Sequence, residues 1–487
     1  MRLESLFQQV AANVCMEYFA ILGVSTAVIA ALAFALYRLR RDVGLIVGAL
    51  ALYYWSLLGA WSIVVDKTGG FSGKNYHYLE YKLFPIVLDS RYMLTLGLYA
   101  GFIAVAQLTL LAALPRTRER AIPRLILRHE PILVAAFLAG IGSYFLIREK
   151  IGTAWALNAS AYVYTRTQPD QWFTLHQVLN RVAMLPPAIG FAALVAGNRS
   201  RYFLSVRRRY TLAAYLLLFL AMGIFTFVLG NKNEVLESLI AGTLAYVASV
   251  RKPSLWKVSL TVGAGLWFLY SIDFFRGVPV AGLQAAVGER LSETSGVAHF
   301  VSSSNEAFAA HFSLYGVLAG GVPPKFGYSL YSLICSIVPR VLWPDRPLDI
   351  YFYYSARVGA IQNQGYSLHH ATGWYLNFGI AGVFLGGAVL GLVWAFCLNA
   401  HQRIRDKSGL LFRLFAVISP WLFVAYLPSL LRAGPEGYKG FVIEAVLIPV
   451  GTLFFACRAR KTARRKIGVE YAHDAAWLMA RGQPAGN

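Results

Sequence analysis

The sequence predicts an all-α polytopic membrane protein with about eleven transmembrane helices, between roughly ten and thirteen, and one large loop carrying short helices of its own. Three observations lead there. Charged residues make up only 14% of the chain and hydrophobic residues 57%, with a mean hydropathy of +0.53; a soluble domain carries about a quarter charged residues. Apolar runs of span length recur along the chain. The basic residues, which give a net charge of +22, gather in clusters after alternate runs, as the positive-inside rule requires of a chain threaded back and forth through a bilayer. That pattern accounts for the charge without nucleic acid, which is not an expected partner.

Taken in order, MRLESLFQQVAANVCMEYF has no basic leader followed by a short apolar core and a small-residue cleavage site, so it reads as an amphipathic lead into the first span. A hydrocarbon core of about 30 Å needs about 20 apolar residues per helix. This ruler predicts spans near 17–37, 43–65, 91–114, 131–147, 178–197, 210–229, 234–250, 255–275, 379–399, 409–430 and 440–457. Basic clusters at 38–41, 115–128, 198–209, 251–253, 401–407 and 458–466 follow alternate spans. The rule assigns all six to the cytoplasm, with the C-terminus inside and the N-terminus outside. The resulting organisation is an N-terminal transmembrane bundle (1–275), a large periplasmic loop (276–378), C-terminal transmembrane helices (379–457) and a basic cytoplasmic tail (458–487). Cys15, Cys335, Cys397 and Cys457 lie far apart, with no metal-ligand spacing and no disulfide framework. No metal site is expected.

Loops as long as 276–378 are functional more often than not in compact domains. Within it, 299–321 reads as a helix and LYSLICSIVPRVL (330–342) as an apolar segment too short to cross, so a re-entrant or interface-lying pair of helices is expected. The next stretch, PRVLWPDRP (339–347), sets Arg340, Asp345 and Arg346 on a proline-stiffened backbone. These arginines fall on the side for which the positive-inside rule gives no reason. So do Arg276 in DFFRG, Arg432 in LLRAGPEG and Lys232 in GNKNE. Cations converging at one mouth of a bundle suit a phosphate headgroup, which a guanidinium can fork onto; scattered structural salt bridges are the plainer alternative. Glu234 suits the start of its helix electrostatically, whereas Lys232 there does not. Arg148, Arg181 and Lys439 read as side chains snorkelling to the interface from span ends, and Glu237 and Glu444 as intramembrane carboxylates that pair or line a path. Candidate acid–base groups are Glu306, on one helical face with His299 and Ser303, and His369 and His370 before the next span. Aromatics such as Trp343, Tyr353 and Trp374 suit either an interfacial belt or a sugar platform.

Several of these stretches together resemble the Wzy-type oligosaccharide repeat-unit polymerases, also called O-antigen polymerases. They are a G-N-K-N-E start to a span (230–234), the P-R-x-L-W-P-D-R-P loop segment, a G-W-Y-x-N-F-G-I-A-G-V-F-L-G return into the membrane (373–386) and L-R-A-G-P after the penultimate span (431–435). The likeness covers roughly 230–440, and the N-terminal half is similar only as a generic bundle. It implies a multi-pass glycosyltransferase of the bacterial inner membrane, active on its periplasmic face. Such enzymes move a growing glycan from one undecaprenyl-diphosphate-linked oligosaccharide to the non-reducing end of another, with no cofactor and with a chain-length regulator as a partner.

Under that reading Arg340, Arg346, Arg276 and Arg432 contact the lipid diphosphate, with Lys232 a further candidate. Asp345 either orients its neighbouring arginines or acts as base, and Glu306 and His370 are the alternative bases. An O-antigen ligase would share the lipid-linked donor. A lipid-linked oligosaccharide flippase or another transporter is the reading from a different class, against which stand the lack of repeated halves and the one-sided loop.

Overall fold

The computed structural model describes residues 2–61, 90–114, 124–167, 171–205, 210–275, 278–282, 306–338, 342–358, 367–404 and 408–459. Its long helices are α1 (Arg2–Arg40), α2 (Val43–Trp61), α3 (Ser90–Ala113), α4 (His129–Ala156), α6 (Gln171–Ala196), α7 (Thr211–Leu229), α8 (Asn233–Ser249), α9 (Leu255–Phe275), α13 (His370–Asn399), α14 (Leu410–Leu431) and α15 (Gly437–Ala456). Between them lie the short α5 (Ala161–Thr167), α10 (Glu306–Ala319), α11 (Tyr328–Cys335) and α12 (Ile350–Arg357). Among the described residues ten helices are long and apolar enough to cross a membrane, and the chain is an all-α polytopic membrane protein. In hydrocarbon only a helix or a closed barrel satisfies its own backbone.

The eleventh expected span, α8, is the exception. It has 17 residues and buries Glu234, Glu237 and Ser238, which lipid would not tolerate. It can do so because it packs between α6 and α14, away from the bilayer. Three chain-distant strands close one end of the bundle. Leu125–Leu127 (β1) pairs in parallel with Phe203–Ser205 (β2) and antiparallel with Cys457–Ala459 (β3). At the same end Arg40 Nη2 donates to Asn399 Oδ1 (2.9 Å), Asn399 Nδ2 to the Ala113 carbonyl (3.0 Å) and the Arg201 amide to the Ser249 carbonyl (2.9 Å). These residues border or belong to the described parts of all six basic clusters, so those parts share one face.

The opposite face carries the described part of the large loop, which has a core of its own. Val317, Val322, Ile350, Tyr354, Leu368 and Leu376 pack together beneath α11 and α12. The expected return into the membrane at 379 coincides with a break inside α13, at Phe378 (φ −141°, ψ 18°) and Gly379 (φ 62°, ψ −148°). The second of these backbone conformations is open essentially to glycine alone. The helix itself starts earlier, at His370, so His369 and His370 are not loop residues but fully buried. Below the break Gly387 and Gly391 let α13 lie directly on α3, where a Cβ would run into the Phe102 and Ala106 carbonyl oxygens.

Candidate functional site

Two stretches far apart in sequence meet at the face opposite the basic clusters, 367–374 at the start of α13 and 432–438 between α14 and α15. A Cβ on Gly373 would sit 2.6 Å from the Gly434 Cα and 2.9 Å from Pro435 Cδ, so the two backbones touch. His370 locks the junction. The Trp374 indole N–H donates to His370 Nε2 at 3.0 Å, and an indole N–H can only donate. His370 therefore carries its proton on Nδ1, which donates to the Ala433 carbonyl at 2.9 Å. The Tyr438 hydroxyl lies 3.3 Å from the same Nε2. The ring is thus neutral, with its lone pair already engaged.

Arg432 caps α14. Its Nε donates to Ser367 Oγ (3.0 Å), its Nη1 to Asn233 Oδ1 (2.9 Å), and its guanidinium lies 5.6 Å from the centre of the Trp55 ring. Asn233 opens α8 and Lys232 is the residue before it, half-buried. Arg432 and Lys232, two of the expected diphosphate contacts, are therefore brought to one mouth, with His370 behind them. Trp55 lies in a π-helical turn of α2, Tyr54–Leu58, a departure from α geometry common at functional positions.

The other expected residues fall elsewhere. Arg346 is anchored separately, on the end of α11, where Nη1 donates to the carbonyls of Ser336 and Val338, both at 2.9 Å. Asp345 is exposed beside it. Glu306 is the first residue of α10, but its side chain lies outside what is described. Arg340 and Arg276 lie outside the described residues.

A second buried network backs the mouth. His311 on α10 donates from Nδ1 to the Ser56 carbonyl (2.6 Å) and accepts the Tyr92 hydroxyl at Nε2 (2.8 Å). His369 accepts the Ala371 amide at Nδ1 (3.1 Å) and so donates from Nε2 to Ser56 Oγ (3.0 Å). The second contact looks like a serine–histidine dyad. The tautomer excludes that role, because the nitrogen facing Ser56 already holds the proton. Burial pushes both imidazoles below the ordinary histidine range and keeps them neutral.

Sequence reasoning misplaced Arg181. It does not snorkel. It is buried, with Nε 3.2 Å from Glu237 Oε2 and Nη1 on Glu444 Oε2, while Ser429 Oγ donates to Glu237 Oε1 at 2.7 Å. Three helices, α6, α8 and α15, are joined by this triad, and Glu444 again sits in a π-helical turn, Phe441–Leu447. Glu436, in the same LLRAGPEG stretch as Arg432, was not a candidate from sequence. Glu436 Oε1 accepts the Ile350 amide at 3.0 Å and so supplies an acceptor for the first turn of α12. Burial, with a smaller contribution from the nearby Asp349 carboxylate, pushes its pKa up to about 7.

Among the described residues no group of three or more His, Cys, Asp or Glu is placed to hold a metal ion. The chain matches no family model, no curated protein and no solved structure.

Proposed function

We propose that this protein is a membrane glycosyltransferase that polymerises polyprenyl-diphosphate-linked oligosaccharide repeat units on the face opposite its basic loops, the periplasmic face of a bacterial inner membrane. One observation carries the reading. Three stretches that prompted the polymerase resemblance, at 230–234, 373–386 and 431–435, converge through the Arg432–Asn233 and His370–Ala433 hydrogen bonds and the Gly373–Gly434 contact. The fourth, around Asp345 and Arg346, is held on the same loop.

In this reading Arg432 and Lys232 receive the diphosphate of the donor lipid. The acceptor sugar hydroxyl attacks the anomeric carbon of the donor glycan as the bond to the diphosphate breaks. Charge grows on the departing diphosphate, and guanidinium groups already oriented by protein contacts stabilise it without reorganising. The hydroxyl proton passes to a base. Glu306 and Asp345 remain candidates, while His370 is better suited to positioning, because its only basic nitrogen accepts from Trp374.

The test is chain-length analysis of glycan made from lipid-linked repeat units by purified, membrane-reconstituted protein. Arg432→Ala and Lys232→Ala are expected to leave mainly unextended repeat units while folding and insertion persist. Wild-type chain length in both would overturn the assignment. In cells, loss of a polymerase leaves single-repeat products, whereas loss of a ligase would leave no capped product.

A further inference from the structure

Helix α11 has its polarity inverted. Ser329 and Ser332 on its inward face are fully buried, followed by Cys335 and Ser336, and the serines are bonded within the loop. Asn377 Oδ1 accepts the Ser329 amide at 2.8 Å and Asn377 Nδ2 donates to Ser329 Oγ at 2.7 Å. Ser332 Oγ donates to the Leu348 carbonyl at 3.3 Å, and Ser336 Oγ to the Leu333 carbonyl at 2.7 Å. The outward face is apolar and continues past the helix end: Leu330, Tyr331, Ile334 (67% exposed), Ile337 (73%), Leu342 (77%) and Trp343. In water this arrangement is the wrong way round.

Its height in the molecule identifies what covers it. The part of α13 beyond its break, 380–399, is about 20 residues and so about 30 Å long, the thickness of a bilayer's hydrocarbon core. Its far end, Asn399, is bonded to Arg40 at the basic face. The break at Gly379 therefore stands at the opposite boundary of the hydrocarbon. Helix α11 is docked at that level, through Asn377 and through the Lys325 amide on the Leu376 carbonyl (2.6 Å). Just below, α13 presents Ile380, Phe384 and Leu385 outward, so the apolar face of α11 sits level with the top of a lipid-facing surface.

We infer that α11, with Ile337, Leu342 and Trp343 beyond it, forms an in-plane anchor, embedded in the phospholipid leaflet opposite the basic loops. Polar contacts hold the segment to the protein from inside, and lipid holds it from outside. The anchor also sets a height for Arg346, whose guanidinium is bonded to the Ser336 and Val338 carbonyls at its end. That is the level at which lipid phosphates lie. The inference does not depend on which reaction the protein performs.

The test uses the full chain in nanodiscs of phosphatidylethanolamine and phosphatidylglycerol. The photo-crosslinking residue p-benzoylphenylalanine is placed at Ile334, Ile337 or, as a span reference, Leu217, which is 67% exposed on α7. Only monodisperse protein is irradiated, and intact mass reads the adducts. The anchor predicts phospholipid adducts at Ile334 and Ile337 within about twofold of the Leu217 yield. Adducts at Leu217 but none at the two α11 positions would place this face in water and overturn it. Crosslinks from α11 to a second protein chain in place of lipid would overturn it equally.

Discussion

Arg181 and Arg432 both reach α8, the first at Glu237 and the second at Asn233, one turn earlier. Arg181 is clasped by two carboxylates. Arg432 is held by a serine hydroxyl, an asparagine amide oxygen and the face of a tryptophan. Carboxylate partners neutralise a guanidinium and make it a fastener between spans. Side-chain oxygens of Ser367 and Asn233 and the Trp55 ring hold the Arg432 guanidinium in a fixed orientation. The same side chain thus fastens helices at Glu237, while about a helical turn away, under the proposed function, it receives the donor diphosphate.

Exchanging each arginine should separate the two roles. Arg181→Ala leaves the buried Glu237 and the half-buried Glu444 without their cation; breaking a buried pair costs about 3–5 kcal/mol. It should lower the thermal midpoint and the yield of folded protein in nanodiscs more than any other change named here. Arg432→Ala should do the reverse, with a midpoint close to wild type and polymerisation down about a hundredfold, the scale of one lost oriented donor to a developing oxyanion. If Arg432→Ala unfolds the protein while Arg181→Ala spares it, the distinction is wrong.

A finer probe is Gly373→Ala. Its methyl would press on Gly434 and Pro435, displacing the segment that carries Arg432. Overpacking of this kind costs about 1–3 kcal/mol, and the effect on glycan chain length should exceed the effect on melting. Smallest is the pH response of Glu436. Its folded pKa of about 7 lies above the ordinary carboxylate range, so the folded state holds its proton longer than the unfolded chain. The stability it contributes is fully present at acid pH and is lost as pH rises through about 7. Melting followed from pH 5 to 8 should decline more steeply in wild type than in Glu436→Gln. Equal slopes would remove Glu436 as the cause.

The transmembrane layout was legible because lipid imposes it. Each span must be about 20 residues long and apolar, and alternating basic clusters orient them. Even the short α8 was found, since its ends are marked by GNKNE and RKP. The interior pairings were not legible. An arginine near the start of an apolar run looks the same whether it reaches back to water or inward to Glu237, because its partners lie on other helices. His369 and His370 looked like loop residues because the glycine break at 379 resembles the end of a helix from sequence alone. Glu436, after Pro435 in a turn, showed nothing of its distant bond to Ile350. Of the mouth itself, Lys232, His370 and Arg432 were each picked out from the sequence, but only the fold shows that they belong together.

The small sheet formed by β1, β2 and β3 has a mechanical consequence. It stitches the loops after α3, after α6 and after α15 into one buried seam. A bundle sewn at one rim cannot splay there. The helices that these loops join are therefore held together at that rim.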